Sequence, residues 1–244
     1  MAKGREEAVG VRPLNFVGYC QKYNHVSDNS SQGSPSMSTV QEAIMEHANR
    51  LPEGAVFAPK SFLHLGSRAA VDQALSRMAR GGELLRVGRG RYVRARRTRF
   101  GRRAPSPGEL VEQLSRASGE LVVPGGATAA HDLGLTTQVP VRTVYVTSGS
   151  SRRLHLGKQV VELQNAPRWK LWGAGTREGA VLRAIEWLGP GVSPEVVVRV
   201  VSSLTPEQKE RLHLACGSVP TWLAKRLTGA LFSGSAPPAT VGDG

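Results

Sequence analysis

Thirteen basic side chains crowd into residues 60–103: Lys60, Arg68, Arg77, Arg80, Arg86, Arg89, Arg91, Arg94, Arg96, Arg97, Arg99, Arg102 and Arg103. They meet only two acids, Asp72 and Glu83, so this stretch holds a net +11 of the chain's formal +13. The other 200 residues carry a nearly neutral +2. Charge gathered on one short segment is the footprint of a phosphate-binding surface, and it points to nucleic acid rather than to a membrane. Arginine can make a bidentate contact to guanine and glutamine to adenine, so Arg68 and Gln73 are the candidates for reading bases. Lys60, Ser67, Ala69, Asp72, Ser76 and Arg77 join them as DNA contacts, with Asp72 placed either to orient a neighbouring arginine or to accept from cytosine. Arg86, Arg89 and Arg91 surround a Gly88-Arg89-Gly90 turn and are expected on phosphates or in the minor groove, where they add affinity with little sequence information.

Other chemistry finds weaker footing. His131-Asp132 and the serines from Ser148 to Ser151 are the ingredients of a nucleophilic triad, but no GxSxG elbow accompanies them, and a surface or loop-capping role is expected. The six histidines show no HxxxH or HExxH spacing, and Cys20 and Cys216 are isolated, so neither a metal site nor a disulfide framework is expected. Gly125-Gly126 lacks the Gly-Lys-Ser/Thr that completes a phosphate loop, so close packing of a small-residue helix explains it better. Gly149-Ser150 has no paired aspartates after it to hold magnesium, and no cofactor is expected. No apolar run approaches the roughly 18 residues needed to span a bilayer, and with no disulfide pattern a reducing cytoplasm is the expected compartment.

The basic residues need elements to position them. Residues 1–36 show no sustained period and include the polar run from Ser27 to Ser38, so they read as a disordered extension; Met37 stands directly before an amphipathic run and is an alternative translation start. Val40 to Ala48 predicts a first helix, stopped by Leu51-Pro52-Glu53-Gly54, and Ala55-Val56-Phe57 a short extended stub. Pro59 to Leu65 predicts a two-turn helix closed by Gly66. Ser67 then caps a third helix, Arg68 to Arg80, whose Val71, Ala74, Leu75 and Met78 form one apolar stripe. Leu84 to Val87 and Arg91 to Val93 predict a hairpin. Three helices followed by a basic hairpin make a winged helix-turn-helix over 37–94, whose third helix would enter the major groove.

Residues 95–107 read as a basic linker, and 108–232 as a separate α+β domain, followed by a disordered tail over 233–244. In that domain Gly108 to Ser118 predicts a helix, Leu121 to Val123 a strand, and Thr143 to Thr147 with Gln159 to Leu163 a hairpin. Four helices follow, near 178–188, 194–203, 206–215 and 220–231. The fold class is therefore α+β.

Two blocks of this sequence resemble a known family. Pro124 to Pro140, containing Gly134-Leu135-Thr136-Thr137-Gln138-Val139-Pro140, and Val144-Tyr145-Val146-Thr147 resemble the block after the winged helix in AbiEi-type antitoxins of type IV toxin-antitoxin systems. Leu51 to Phe57, Gly66 to Arg77 and Gly88 to Tyr92 look like the N-terminal module of the same group, so the resemblance spans about Met37 to Leu231. It implies a non-enzymatic bacterial regulator that binds inverted repeats in its own promoter as double-stranded DNA. It also implies a C-terminal domain that counters a nucleotidyltransferase toxin. Two readings compete with it: an enzyme acting on nucleic acid and positioned by the winged helix, and an interaction module for an acidic protein.

Overall fold

Residues 37–99 and 101–233 are described by the computed structural model, with side chains from Val40 onward. The expected extension over 1–36 and the tail beyond Ser233 lie outside the described residues. Helix α1 (Met37–Arg50) is followed by strand β1 (Val56–Phe57), a 3-10 helix (Pro59–Leu65), helix α2 (Arg68–Arg80) and the strands β2 (Leu84–Gly88) and β3 (Arg91–Arg94). This order matches the sequence expectation except that the short middle helix is 3-10, not α. Proline sits at its first position and Gly66 follows its last, leaving room for only two tightened turns. Helix α2 begins where its cap predicts, the Ser67 hydroxyl accepting the Ala70 N–H at 3.3 Å.

Strands β1, β3 and β2 form one antiparallel sheet in that order. Its register pairs Phe57 with Tyr92 and Val56 with Val93, and Leu85 with Val93. Because side chains alternate across a strand, each pair shares a face, and the two faces meet different cores. Leu84, Tyr92 and Phe57 pack with Val40, Ile44, Phe62, Val71, Leu75 and Met78 beneath the helices. Val87, Val93, Leu85 and Val56 pack on the other side, against the remainder of the chain.

That remainder departs from the expected linker and separate domain. Residues 96–103 form a second antiparallel hairpin, β4 (Arg96–Thr98) and β5 (Gly101–Arg103), because Gly101 takes φ +107 at the turn and the Thr98 hydroxyl donates to the Gly101 carbonyl at 2.9 Å. Helix α3 (Pro107–Ser118) starts inside the expected linker, capped reciprocally by Ser106 and Glu109. Its Leu110, Val111 and Leu114 join Val87 and Val93 in one buried cluster with Leu154, Leu156, Val161 and Leu163. No gap in the core therefore separates the two modules. Gly54, at φ +80, touches the backbone of α3 so closely that an added Cβ would lie 2.6 Å from the Glu109 carbonyl.

The second sheet runs β6 (Val122–Pro124), β7 (Thr143–Thr147), β9 (Gln159–Asn165), β8 (Arg152–Leu156). The expected hairpin between β7 and β9 is corrected: these strands are parallel neighbours, and the hairpin is β8–β9, turning at Gly157 with φ +63. Between β6 and β7, α4 (Gly126–Asp132) lies against α5 (Arg177–Leu188), where a Cβ on Gly126 would fall 2.4 Å from the Trp187 Cβ and 2.6 Å from the Arg183 carbonyl oxygen. Small residues from Pro124 onward thus serve helix contact. Another 3-10 helix (Arg168–Leu171) precedes α5, and the buried Arg183 guanidinium donates to the carbonyls of Lys170 and Trp172 around it. Helices α6 (Pro194–Ser202), α7 (Pro206–Ala215) and α8 (Thr221–Phe232) close a last apolar cluster with α5. Among the described residues no helix is long and apolar enough to cross a membrane.

Glu178, with only 1% of its side chain exposed, accepts from Arg211 Nε at 2.6 Å and ties the first turn of α5 to α7. Burial pushes its pKa up, but hydrogen bonds from Arg211, its own backbone N–H and Thr176, together with the arginine charge, leave it below the ordinary carboxylate value. A carboxylate depressed on folding stabilises above its unfolded pKa and loses that contribution as pH falls through the folded one. We expect urea midpoints of wild type to fall more steeply with acid below about pH 4.5 than those of Glu178→Gln, which should also be less stable at neutral pH. Parallel pH profiles would remove Glu178 from the acid response. Gly54→Ala should cost about 2–4 kcal/mol in urea denaturation, since it adds both left-handed strain and a backbone overlap; an unchanged midpoint would mean that α3 does not pack there.

Candidate nucleic-acid interface

Helix α2 divides its residues cleanly. Val71, Ala74, Leu75 and Met78 are buried, while Arg68, Ala69, Gln73, Ser76 and Arg77 are exposed and Asp72 is half-exposed, so the six candidate contacts share the solvent face. Ser67 caps this face at its N-terminal end, and Lys60 is exposed on the first turn of the preceding 3-10 helix.

The arginine expected to read a base is held rather than loose. Arg68 Nε donates to Asp72 Oδ2 at 2.9 Å, one turn along the helix, with the two side chains 55% and 47% exposed. In the free protein Asp72 thus engages Arg68, the contact that the orienting role requires. An exposed pair of this kind adds little stability, on the order of 0.3–0.5 kcal/mol. Its effect is geometric: the bond at Nε restrains the guanidinium of an exposed arginine, a group whose donor pair suits guanine O6 and N7.

The β2–β3 hairpin carries Arg86, Arg89 and Arg91, all exposed. Arg86 lies opposite Tyr92 in the register, on the face turned toward the helices, and a bulge between Arg86 and Gly88 brings Gly88 opposite Arg91. Gly90 alone in the turn has positive φ, at +62. Arg94 is drawn back to donate to Asn49 at 3.1 Å. The back of this hairpin is buried against α3 and β8, so its tip is aimed by the core rather than by a flexible stalk.

Five arginines outside the expected contacts, Arg96, Arg97, Arg99, Arg102 and Arg103, are exposed on β4–β5. A run of like charges usually marks a solvated linker, which hid them. The signal that could have found them is Gly101, a turn residue with arginines on both sides. Arg102 reaches the Gly81 carbonyl at the end of α2 and lies 3.6 Å from Glu83, while Arg96 pairs with Glu53 at 3.2 Å.

The residues named for catalysis do not converge. The Ser148 hydroxyl accepts from Leu121 N–H at 3.0 Å and that of Ser151 from Asn165 N–H at 2.8 Å, so both serines terminate strands. His131 is half-buried with Nδ1 unpaired, and Asp132 points to solvent. Glu120 is occupied by Arg152 at 2.6 Å and by the Thr147 hydroxyl at 3.2 Å, and Glu186 by Lys170 at 2.7 Å. Burial pushes the Cys216 thiol up, away from thiolate reactivity. Among the described residues no group of three His, Cys, Asp or Glu side chains could hold a metal ion.

No curated protein matches the chain. Among solved structures, the crystal structure of the RV2827C protein from Mycobacterium tuberculosis is 17% identical, with a TM-score of 0.48, covering 85% of this chain and 80% of that one. The model of a family described as being of unknown function, DUF6088, matches residues 43–212, and the chain belongs to that family.

Proposed function

We propose that this protein is a non-enzymatic, sequence-reading DNA-binding regulator of the AbiEi antitoxin type, acting in the cytoplasm on inverted repeats in its own promoter. The observation that carries the reading is the solvent face of α2, where an exposed arginine is pre-oriented by Asp72 beside Gln73, next to a hairpin tipped with further arginines. A helix entering the major groove would use Arg68 and Gln73 on base edges, Ser67, Ala69, Ser76 and Arg77 around them, and Lys60, Arg86, Arg89 and Arg91 on the backbone.

A partner toxin of the nucleotidyltransferase class belongs to the same proposal. Its support is the resemblance of residues 124–147 together with the surface they present. Val139 and Val141 are 71% and 100% exposed, and Trp187 stands 45% exposed beside Gly126 and Arg142 around a concavity of about 350 Å³. Exposed apolar side chains of this size are what a protein partner would cover.

Fluorescence anisotropy of the full chain against the duplex upstream of its gene, with a scrambled duplex of equal length, tests the reading. Wild type should prefer the native duplex. Arg68→Ala should lose about 1–3 kcal/mol on that site and relax base preference, whereas Arg89→Ala should weaken both duplexes alike. Equal binding of the two duplexes by wild type, or no effect of Arg68→Ala, would reject a helix-in-groove reader.

A further inference from the structure

Among the described residues, the hairpin β4–β5 has no apolar face. Its register sets Arg96 opposite Arg103 and Arg97 opposite Arg102, so four cations form two cross-strand like-charge pairs on a ribbon whose arginines are all exposed. Like charges directly opposite are destabilising, and among the described residues of the ribbon no buried apolar side chain offsets them. What fixes the hairpin is its anchoring. Arg102 holds the carbonyl of Gly81, which caps the end of α2, and approaches Glu83, and Arg96 holds Glu53 in the loop before β1. Each like-charge pair therefore has one member tied to the protein. Among the described residues, its opposite, Arg97 or Arg103, pairs with no carboxylate.

We infer that this hairpin is a second phosphate-gripping element, in which Arg97 and Arg103 contact the DNA backbone while Arg96 and Arg102 aim the ribbon. The inference rests on the DNA-binding reading above and adds a site to it. Three observations converge on a polyanion as the ligand. The ribbon is self-repelling and lacks counter-charges for half of its paired arginines. Four arginines, Arg96, Arg99, Arg102 and Arg103, line a concavity of about 370 Å³ with Thr98 and Gly101, roomy enough for phosphate groups. And the ribbon is latched onto the C-terminal end of the helix proposed to lie in the groove, so the element that reads bases and the element that grips phosphates move together.

The placement also bounds its distance from the first hairpin. Arg102 is anchored beside the start of β2, and the Gly88-Arg89-Gly90 turn lies at the other end of that strand. Five residues of strand span roughly 17 Å, so the two arginine hairpins stand up to about five base pairs apart when β2 runs along the duplex. They should therefore grip phosphates at opposite margins of the site.

The test uses the full chain on the upstream duplex, with wild type, the double variant Arg97→Gln/Arg103→Gln, and Arg89→Gln. Thermal melts confirm folding, which these exposed side chains should not disturb. The double variant is expected to bind at least tenfold more weakly at low salt to native and scrambled duplexes alike, with base preference kept. Its plot of log affinity against log salt should be shallower by about two, close to one unit for each phosphate that the variant no longer neutralises. Hydroxyl-radical footprinting should show it losing protection at one margin, and Arg89→Gln at the other. A double variant with wild-type affinity, slope and footprint, while Arg89→Gln is impaired, would overturn the second grip and leave the DNA reading standing. Failure of wild type to bind any duplex would overturn both.

Discussion

The three-stranded sheet β1-β3-β2 is buried on both faces, and the rest of the structure follows from that constraint. One face carries Leu84, Tyr92 and Phe57 into the helical core, and the other carries Leu85, Val87, Val93 and Val56 into the core shared with α3 and the β8–β9 hairpin. A sheet used as a common wall cannot tilt without opening one core or the other, and burial of each large apolar side chain is worth about 1.5–3 kcal/mol. The outward face of α2 and the tip of the β2–β3 hairpin are consequently held in one geometry. For a surface that must match a duplex, such preorganisation removes an ordering cost that flexible basic arms would meet on binding.

The same module has to fold with a net charge of +11 on residues 60–103. Self-repulsion at this density works against the compact state, and salt screens it only over about 8–10 Å. The few acids nearby are used singly on arginines: Asp72 on Arg68, Glu83 on Arg102 and Glu53 on Arg96. All three pairs are substantially exposed, so they contribute geometry more than stability. The stability comes from the apolar residues beneath, and the charged face is a cost carried by the two-sided sheet.

Much of this is legible in the sequence, and the failures have identifiable causes. Helix α2 is readable to the residue because its stripe at i, i+3, i+4 and i+7 coincides with a serine cap and a Gly-Gly stop. The exposed candidates on it follow from the same periodicity. Shared burial of the first sheet has a visible but easily missed signal: Leu84-Leu85 and Tyr92-Val93 place apolar side chains on both faces, which a sheet covered on one side does not need. Strand β8 carries a period-two signal, with Leu154 and Leu156 buried between exposed Arg153 and His155, masked by its basic content. The parallel pairing of β7 with β9 has no local signal, because strand order is decided by which edges meet in the folded core. Arg96 to Arg103 reads as a linker because its charge masks the local turn at Gly101, and the residues that anchor the hairpin, Gly81, Glu83 and Glu53, lie elsewhere in the chain.

The balance between binding and chemistry can be argued from how the polar groups outside this module are used. A catalytic site needs acids, bases or nucleophiles held near one another with lone pairs or protons left for a substrate. Here Glu120, Glu178 and Glu186 each engage a cation, with Glu178 Oε2 left buried without a partner, and Ser148 and Ser151 accept from strand-end N–H groups. Their side chains hold the C-terminal scaffold together. On α2 and its neighbouring hairpins the polar groups are used in the opposite way: Arg68, Arg96 and Arg102 are steadied by carboxylates at the surface, and most of the other cations from 60–103 stand exposed to solvent. The proposed binding of a large anion rests on this contrast, with exposed donors gathered on the 60–103 segment and the carboxylates of the other half engaged by cations.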